Sequence, residues 1–199
     1  MMRAFKVTGM CILMTGLFAC GAEEETEAPA SDEEGTDEQA NEDESADENS
    51  KTASVTLRDQ EENEVGTAEL EEGSDGVSIQ LEASGMPENS EHGFHIHETG
   101  ACEPPDFESA EDHFNPEDSD HGKDTEDGPH AGDLPNITTN ENGEVKEDLT
   151  AENVTLAAGE QHSLLENEGT SLVIHEMPDD YESQPSGDAG DRLACGVIE

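Results

Sequence analysis

The stretch Gly93-Phe94-His95-Ile96-His97-Glu98 decides the fold, because Phe94 and Ile96 alternate with His95 and His97. Strict alternation is the period of a strand, not of a helix, and it puts the two apolar side chains on one face and both imidazoles on the other. A strand of this kind packs a core with one face and presents chemistry with the other. The same pattern of short β-type segments separated by turn residues continues outward from it. The strand itself is expected over His92 to His97, and upstream strands are expected over Ala53 to Arg58, Val65 to Leu70 and Val77 to Ala83, with Gly73-Ser74-Asp75-Gly76 and Met86-Pro87-Glu88-Asn89 as turns. Downstream they are expected over Gly132 to Thr139, Glu144 to Leu149, Val154 to Leu156, Leu172 to His175 and Leu193 to Ile198. No segment carries a sustained helical period. Two long stretches rich in Pro, Gly and Asp, Glu98 to Ala131 and Glu176 to Asp191, remain as loops, and loops of that length in a small domain carry function or are disordered. The expectation is an all-β sandwich or barrel with two long loops.

Charge narrows the function. The 199-residue chain has 53 acidic residues against 7 Lys and Arg, a formal charge of −46. Such a field repels nucleic acid and anionic membrane surfaces, which excludes polyanion binding. With 30% hydrophobic residues, 3% aromatic ones and no Trp, a large core is excluded as well.

The acid is unevenly spread, and this divides the chain. Arg3 and Lys6 precede an uncharged, mostly apolar run from Val7 to Ala19, too short to span a bilayer comfortably and typical of an export signal. The expectation is a lipoprotein signal peptide over residues 1–19. Its end, Leu17-Phe18-Ala19-Cys20-Gly21, resembles a bacterial lipobox. That resemblance implies lipidation of Cys20, anchoring to the cell membrane and an extracytoplasmic location; an ordinary secretory cleavage site is the alternative. Residues 20–50 are then an acidic, disordered tether, since Gly21 to Ser50 holds 14 acids, no base and little to bury. A flexible chain of that length spans ~30 Å. Residues 51–199 remain as one domain with 39 acids against 5 bases.

Of the four cysteines, Cys11 leaves with the signal and Cys20 takes the lipid, so Cys102 and Cys195 remain. An oxidising compartment favours a disulfide between them, with two free buried thiols as the alternative.

All eight histidines fall in the domain, and six of them, with Asp133, form the candidate chemistry: His95, His97, His113, His121, His130 and His175. A lone His-x-His is a weak signal, and His130-x-x-Asp133 a weaker one. Seven ligand-type groups in one small exported β domain point to a metal site.

The strings Gly93-Phe94-His95-Ile96-His97-Glu98, His113-Phe114-Asn115-Pro116, His130-Ala131-Gly132-Asp133-Leu134, Leu172-Val173-Ile174-His175-Glu176 and Gly187-Asp188-Ala189-Gly190-Asp191-Arg192-Leu193-Ala194-Cys195-Gly196 resemble the copper/zinc superoxide dismutase family, in that family's order. The resemblance covers about Ala53 to Glu199. It implies an eight-stranded Greek-key β-barrel of immunoglobulin-like sandwich type with two functional loops, and it implies copper and zinc as cofactors. By resemblance, His95, His97, His113 and His175 are copper ligands, and His113, His121, His130 and Asp133 are zinc ligands, with His113 bridging. Asp179 matches the outer aspartate that orients ligands of both metals, Arg192 the arginine that docks superoxide, and Cys102 and Cys195 the family disulfide. The implied reaction converts superoxide to dioxygen and hydrogen peroxide by Cu(II)/Cu(I) cycling, with His113 taking up a proton. His92 and His162 match no ligand and are expected to be ordinary strand or surface residues.

One departure concerns charge. The second loop offers Glu176, Asp179, Asp180, Glu182, Asp188 and Asp191 without a Lys, and the first offers Glu117, Asp118, Asp120, Asp124, Glu126 and Asp127 against Lys123. Long-range attraction of an anion is not expected here. A metal-binding module without turnover would need the same histidines, and a structural envelope lipoprotein none of them; Asp179 and Arg192 together favour the enzyme. Family members vary between monomers and dimers, so a homodimer stays open.

Overall fold

Alternation along the chain becomes antiparallel pairing. The computed structural model describes residues 51–199; the expected signal over 1–19, the tether over 20–50 and Cys20 lie outside the described residues. Strands β1 (Thr52–Asp59), β2 (Glu64–Gly73) and β3 (Gly76–Ala83) form a meander. Strands β4 (Glu91–His92), β5 (Phe94–His97), β6 (Ile137–Thr138), β7 (Val145–Ala151), β8 (Ser171–His175) and β9 (Arg192–Val197) complete the set. A seven-stranded antiparallel sheet runs β5-β8-β9-β1-β2-β3-β7, and β4 pairs with β6.

Gly93 alone separates β4 from β5, and its carbonyl still accepts from His175 N–H at 2.8 Å. Counted as one strand broken there, β4 and β5 give the eight strands expected. The order then becomes β7-β3-β2-β1-β9-β8-β5/β4-β6, in which β7 crosses over to lie beside β3 in Greek-key fashion. The two ends of this order meet where Thr138 N–H donates to the Glu147 carboxylate at 2.8 Å. Gly93 keeps the break tightly packed, because a Cβ there would lie 3.0 Å from Ala189 Cβ and 3.2 Å from His95 Cε1 and would press on a ring of the site.

The inward residues of β1, β2 and β3, among them Val55, Leu57, Ala68, Leu70, Ile79 and Leu81, join Phe94, Ile96, Leu172 and Ile174 in the main core. A second cluster lies around Phe107, Ala110, Val173 and Cys195, where the first loop folds back over β8 and β9. The Cys102–Cys195 disulfide fastens that loop with its Cα atoms 5.6 Å apart. By the chain-entropy argument, closing a 93-residue separation stabilises the fold by about 4 to 5 kcal/mol.

Two expected strands are shorter than their sequence pattern. Only Ile137–Thr138 of Gly132 to Thr139 pairs as strand, since Pro135 offers no N–H and the preceding residues belong to the functional loop. Val154 to Leu156 forms only an isolated parallel bridge, Thr155 to Ser163. The N–H of Leu156 and the hydroxyl of Thr155 bind the Glu72 carboxylate instead, so a side chain takes the place of a neighbouring strand.

Candidate metal centre

Strand β5 sets the site. Both its imidazoles are buried, His95 fully and His97 to within 1%, and its backbone recruits the loop ligands. Ile96 N–H donates to Gly132 O at 2.9 Å, Phe114 N–H donates to Ile96 O at 2.8 Å, and Gly132 N–H donates to Phe114 O at 2.8 Å. That three-way contact holds His113 and Asp133 beside the strand. His175 arrives at the end of β8, whose pairing with β5 is in register from Phe94–Ile174 to His97–Ser171.

Two clusters result. Ligand-type atoms of His95, His97, His113 and His175 lie within 4.8 Å of one another, as do those of His113, His121, His130 and Asp133. Asp133 centres the second cluster. Its Oδ1 lies 2.8 Å from His113 Nδ1, 3.1 Å from His121 Nδ1 and 3.2 Å from His130 Nδ1. Its Oδ2 is pinned by the N–H groups of Gly122 at 2.9 Å and His130 at 3.0 Å. These five contacts outweigh burial, which acts the other way, and hold the Asp133 carboxyl far below the usual range.

His113 belongs to both clusters. Its Nδ1 faces Asp133, while its Nε2 is buried with no hydrogen-bond partner, as is His95 Nδ1. An unpartnered buried polar atom costs about 1 to 3 kcal/mol, and a cation between these nitrogens removes that cost. Hydrogen bonds fix the remaining tautomers the same way. His97 donates from Nδ1 to Glu111 O at 2.8 Å, and His175 Nδ1 faces Gly190 O at 3.4 Å, leaving their Nε2 atoms 3.4 Å apart. His95 and His121 donate from Nε2 to the two oxygens of Asp179, at 2.9 and 3.0 Å, so that their Nδ1 lone pairs face the clusters. The donor sets fit a four-imidazole copper site and a His3Asp zinc site.

Proton affinities follow the surroundings. Burial, with the neighbouring His95 adding to it, lowers the His113 pKa to about 4. Burial also holds His97 and His175 well below the ordinary value, helped by other imidazoles nearby. For His121 burial pulls down but Asp133 and Asp179 win, raising it to about 9.

Asp179 is 3% exposed and clamped on all sides. Its N–H donates to Asn136 Oδ1, its carbonyl accepts from Asn136 Nδ2, and Tyr181 N–H donates to its Oδ1 at 2.7 Å. Gly187, at φ 69°, admits this arrangement, since a Cβ there would lie 1.9 Å from Asp179 Oδ1. Asp179 is therefore an internal connector and not one of the exposed loop charges counted from the sequence. Asn136 was not singled out from the sequence, and no local pattern distinguishes it from an ordinary loop Asn. His92, expected as a strand or surface residue, lies on β4 outside both clusters and is fully buried, with Nδ1 2.8 Å from His175 O and Nε2 2.8 Å from Ser90 Oγ. His162 is a partly exposed surface residue, 3.4 Å from Glu117.

The first cluster opens into a cleft of about 360 Å3 lined in part by His97, His113, His175 and Arg192. Arg192 Nη1 donates to Phe107 O, and Nη2 donates to Glu111 O at 2.7 Å. The guanidinium is thus fixed by the loop that the disulfide secures. Lys123 is no free cation, its Nζ lying 3.7 Å from the centre of the Tyr181 ring.

Comparison with known proteins gives a consistent picture. The family model described as copper/zinc superoxide dismutase matches residues 64–198. The chain is 51% identical over 140 residues to Cu-Zn superoxide dismutase 1 of Aquifex aeolicus, covering 70% of this chain and 83% of that protein. It is 39% identical over 145 residues to the superoxide dismutase-like protein YojM of Bacillus subtilis, covering 72% and 74%. Among solved structures, a SOD-like protein from Bacillus subtilis matches with a TM-score of 0.72 and 37% identity over 73% of this chain and 97% of that one. The Cu/Zn superoxide dismutase from Brucella abortus matches with a TM-score of 0.61 and 28% identity over 75% and 100%.

Proposed function

The chain belongs to the copper/zinc superoxide dismutase family, and from this we propose that it converts superoxide to dioxygen and hydrogen peroxide at the cleft beside Arg192. One observation carries the proposal: His113 stands between the two clusters, Nδ1 toward Asp133 and unpartnered Nε2 on the other side, in the cleft that also holds the fixed guanidinium.

His95, His97, His113 and His175 would hold copper, and His113, His121, His130 and Asp133 would hold zinc. Copper there supplies the one-electron Cu(II)/Cu(I) couple, and zinc supplies a fixed, redox-silent charge. Arg192 receives the anion at contact and orients it with a planar donor pair. His113 takes up a proton at Nε2 and passes it toward the product, and a second proton from solvent lets hydrogen peroxide leave neutral. Asp179 keeps His95 and His121 in one tautomer and one orientation throughout.

Residues 1–50 complete the proposal. Export directed by residues 1–19, lipidation of Cys20 and a tether over 20–50 would hold the domain outside the cytoplasmic membrane. The disulfide supports an oxidising compartment. Incorporation of labelled fatty acid that disappears in Cys20→Ala tests the anchor; labelling that persists in that variant contradicts it.

For the activity, the full chain loaded with copper and zinc is assayed for superoxide disproportionation beside His97→Ala. Fast copper-dependent turnover that is lost in the variant is expected. Full binding of both ions with turnover no faster than aqueous copper would overturn the assignment.

A further inference from the structure

The cleft above the four-histidine cluster is bordered by Glu98, Asp112 and Asp118, against the single cation Arg192. All three carboxylates are exposed to an ion approaching from outside, and partial burial together with the neighbouring Asp112 and Glu111 raises the proton affinity of Glu98, so these acids repel one another and a cation between them relieves that repulsion. Even the guanidinium is offset, since Asp112, Glu108 and Asp106 act on it electrostatically. The mouth therefore carries net negative charge. At the bottom of the same cleft His113 is 4% exposed, and its Nε2 has no partner. A negative rim over an unpartnered nitrogen donor is unsuited to drawing in an anion and suited to drawing in a cation.

We propose that Glu98, Asp112 and Asp118 form a vestibule that captures copper ions from solution and passes them inward to His97, His113 and His175. The field that opposes superoxide at long range is thereby the field that fills the site. This inference rests on the assignment of the four histidines to copper. Physically, the rim raises the local concentration of a divalent cation, and field focusing between low-dielectric walls speeds association by factors of about 10 to 1,000. The carboxylates also offer hard oxygen contacts that exchange readily, so the ion is held loosely before imidazole nitrogen takes it.

The test follows copper uptake directly. The full chain, carrying zinc but not copper, is mixed with aqueous Cu(II), and growth of the copper absorption band is followed by stopped flow at low and high salt. The rim variant Glu98→Gln/Asp112→Asn/Asp118→Asn is compared with Glu69→Gln/Asp75→Asn/Asp148→Asn. The second set removes the same charge from exposed positions that do not line the cleft. At low salt, loading about tenfold slower in the rim variant and changed less than twofold in the distal variant is expected, with the difference closing at high salt. Final copper stoichiometry should stay equal in all three chains, which also verifies folding. Equal slowing in both variants would assign the effect to total charge and overturn the vestibule, as would loading insensitive to the rim. If no chain develops the band, the copper assignment fails together with the vestibule, an outcome distinct from rapid loading that ignores the rim.

Discussion

Asp179 accepts a hydrogen bond from His95 Nε2 at 2.9 Å, between residues 84 apart in sequence, and both side chains are fully buried. With its other oxygen Asp179 holds His121, so one carboxylate fixes a ring in each cluster. Asp179→Asn offers one acceptor where two ring N–H groups point, and one imidazole must turn or change tautomer. Affinity for copper, zinc or both should fall roughly 10- to 100-fold in competition with a chelator. Retention of both affinities within about twofold would remove Asp179 from this role.

Arg192 lines the cleft but is held by the carbonyls of Phe107 and Glu111 rather than by a metal-facing residue. Arg192→Ala should therefore keep full copper and zinc content while losing roughly 10- to 100-fold in dismutation rate, the scale for removing one preorganised donor to an anion. Arg192→Lys should fall between, retaining charge without the planar fork. Metal analysis of the same samples checks the separation, and loss of copper in step with activity would contradict it.

The rim carboxylates lie around the path of an incoming anion, whereas Arg192 acts at contact. Salt hides the distant charges before the near one, with a Debye length of about 8 Å at physiological ionic strength. The dismutation rate should therefore rise, by about two- to threefold, between roughly 0.01 and 0.15 M ionic strength. A rate that falls steeply across that range would show that attraction governs access.

Acid should unfold the metal-free chain early. His113 is lowered to about 4 by burial, and His97 and His175 are lowered as well, against about 6.5 in an unfolded chain. Between those values the unfolded state binds protons that the folded state refuses, so stability falls as pH drops below about 6.5, by about 3 kcal/mol for His113 alone. His121, raised to about 9, acts oppositely: its contribution is complete below about 6.5 and is lost as pH rises through 9. Denaturant midpoints of the metal-free chain should peak near pH 6.5, and a midpoint still climbing from there to pH 9 would contradict the His121 assignment.

Much of the fold was legible because strand signals are local. The alternation of β1, β2, β3 and β5 needs only neighbouring residues, and each appears as strand within a few residues of its expected position. Val154 to Leu156 has the same composition but no strand beside it; Glu72, some 80 residues away, occupies its hydrogen-bonding groups. Five of the histidines, Asp133 and Arg192 were legible from their strings, and His121 only as a further ligand-type residue of the set; the histidines and Asp133 fall into two clusters, and Arg192 lines the cleft beside them.

What the sequence by itself determined was residue type and period: an all-β chain, a chemistry-bearing face on β5, two long loops, an overwhelming negative charge and a complete set of ligand-type side chains. Only the tertiary structure decided which ring nitrogen faces inward, since that depends on hydrogen bonds to Glu111, Gly190 and Asp179 from distant parts of the chain. It also decided which acids are rim and which are interior. Asp179 and Asp118 are the same residue type in equally polar loops, yet one is clamped beneath two imidazoles and the other is exposed beside the cleft. Charge and donor type are carried by single residues and can be read from the sequence; burial and direction arise from contacts across the sheet.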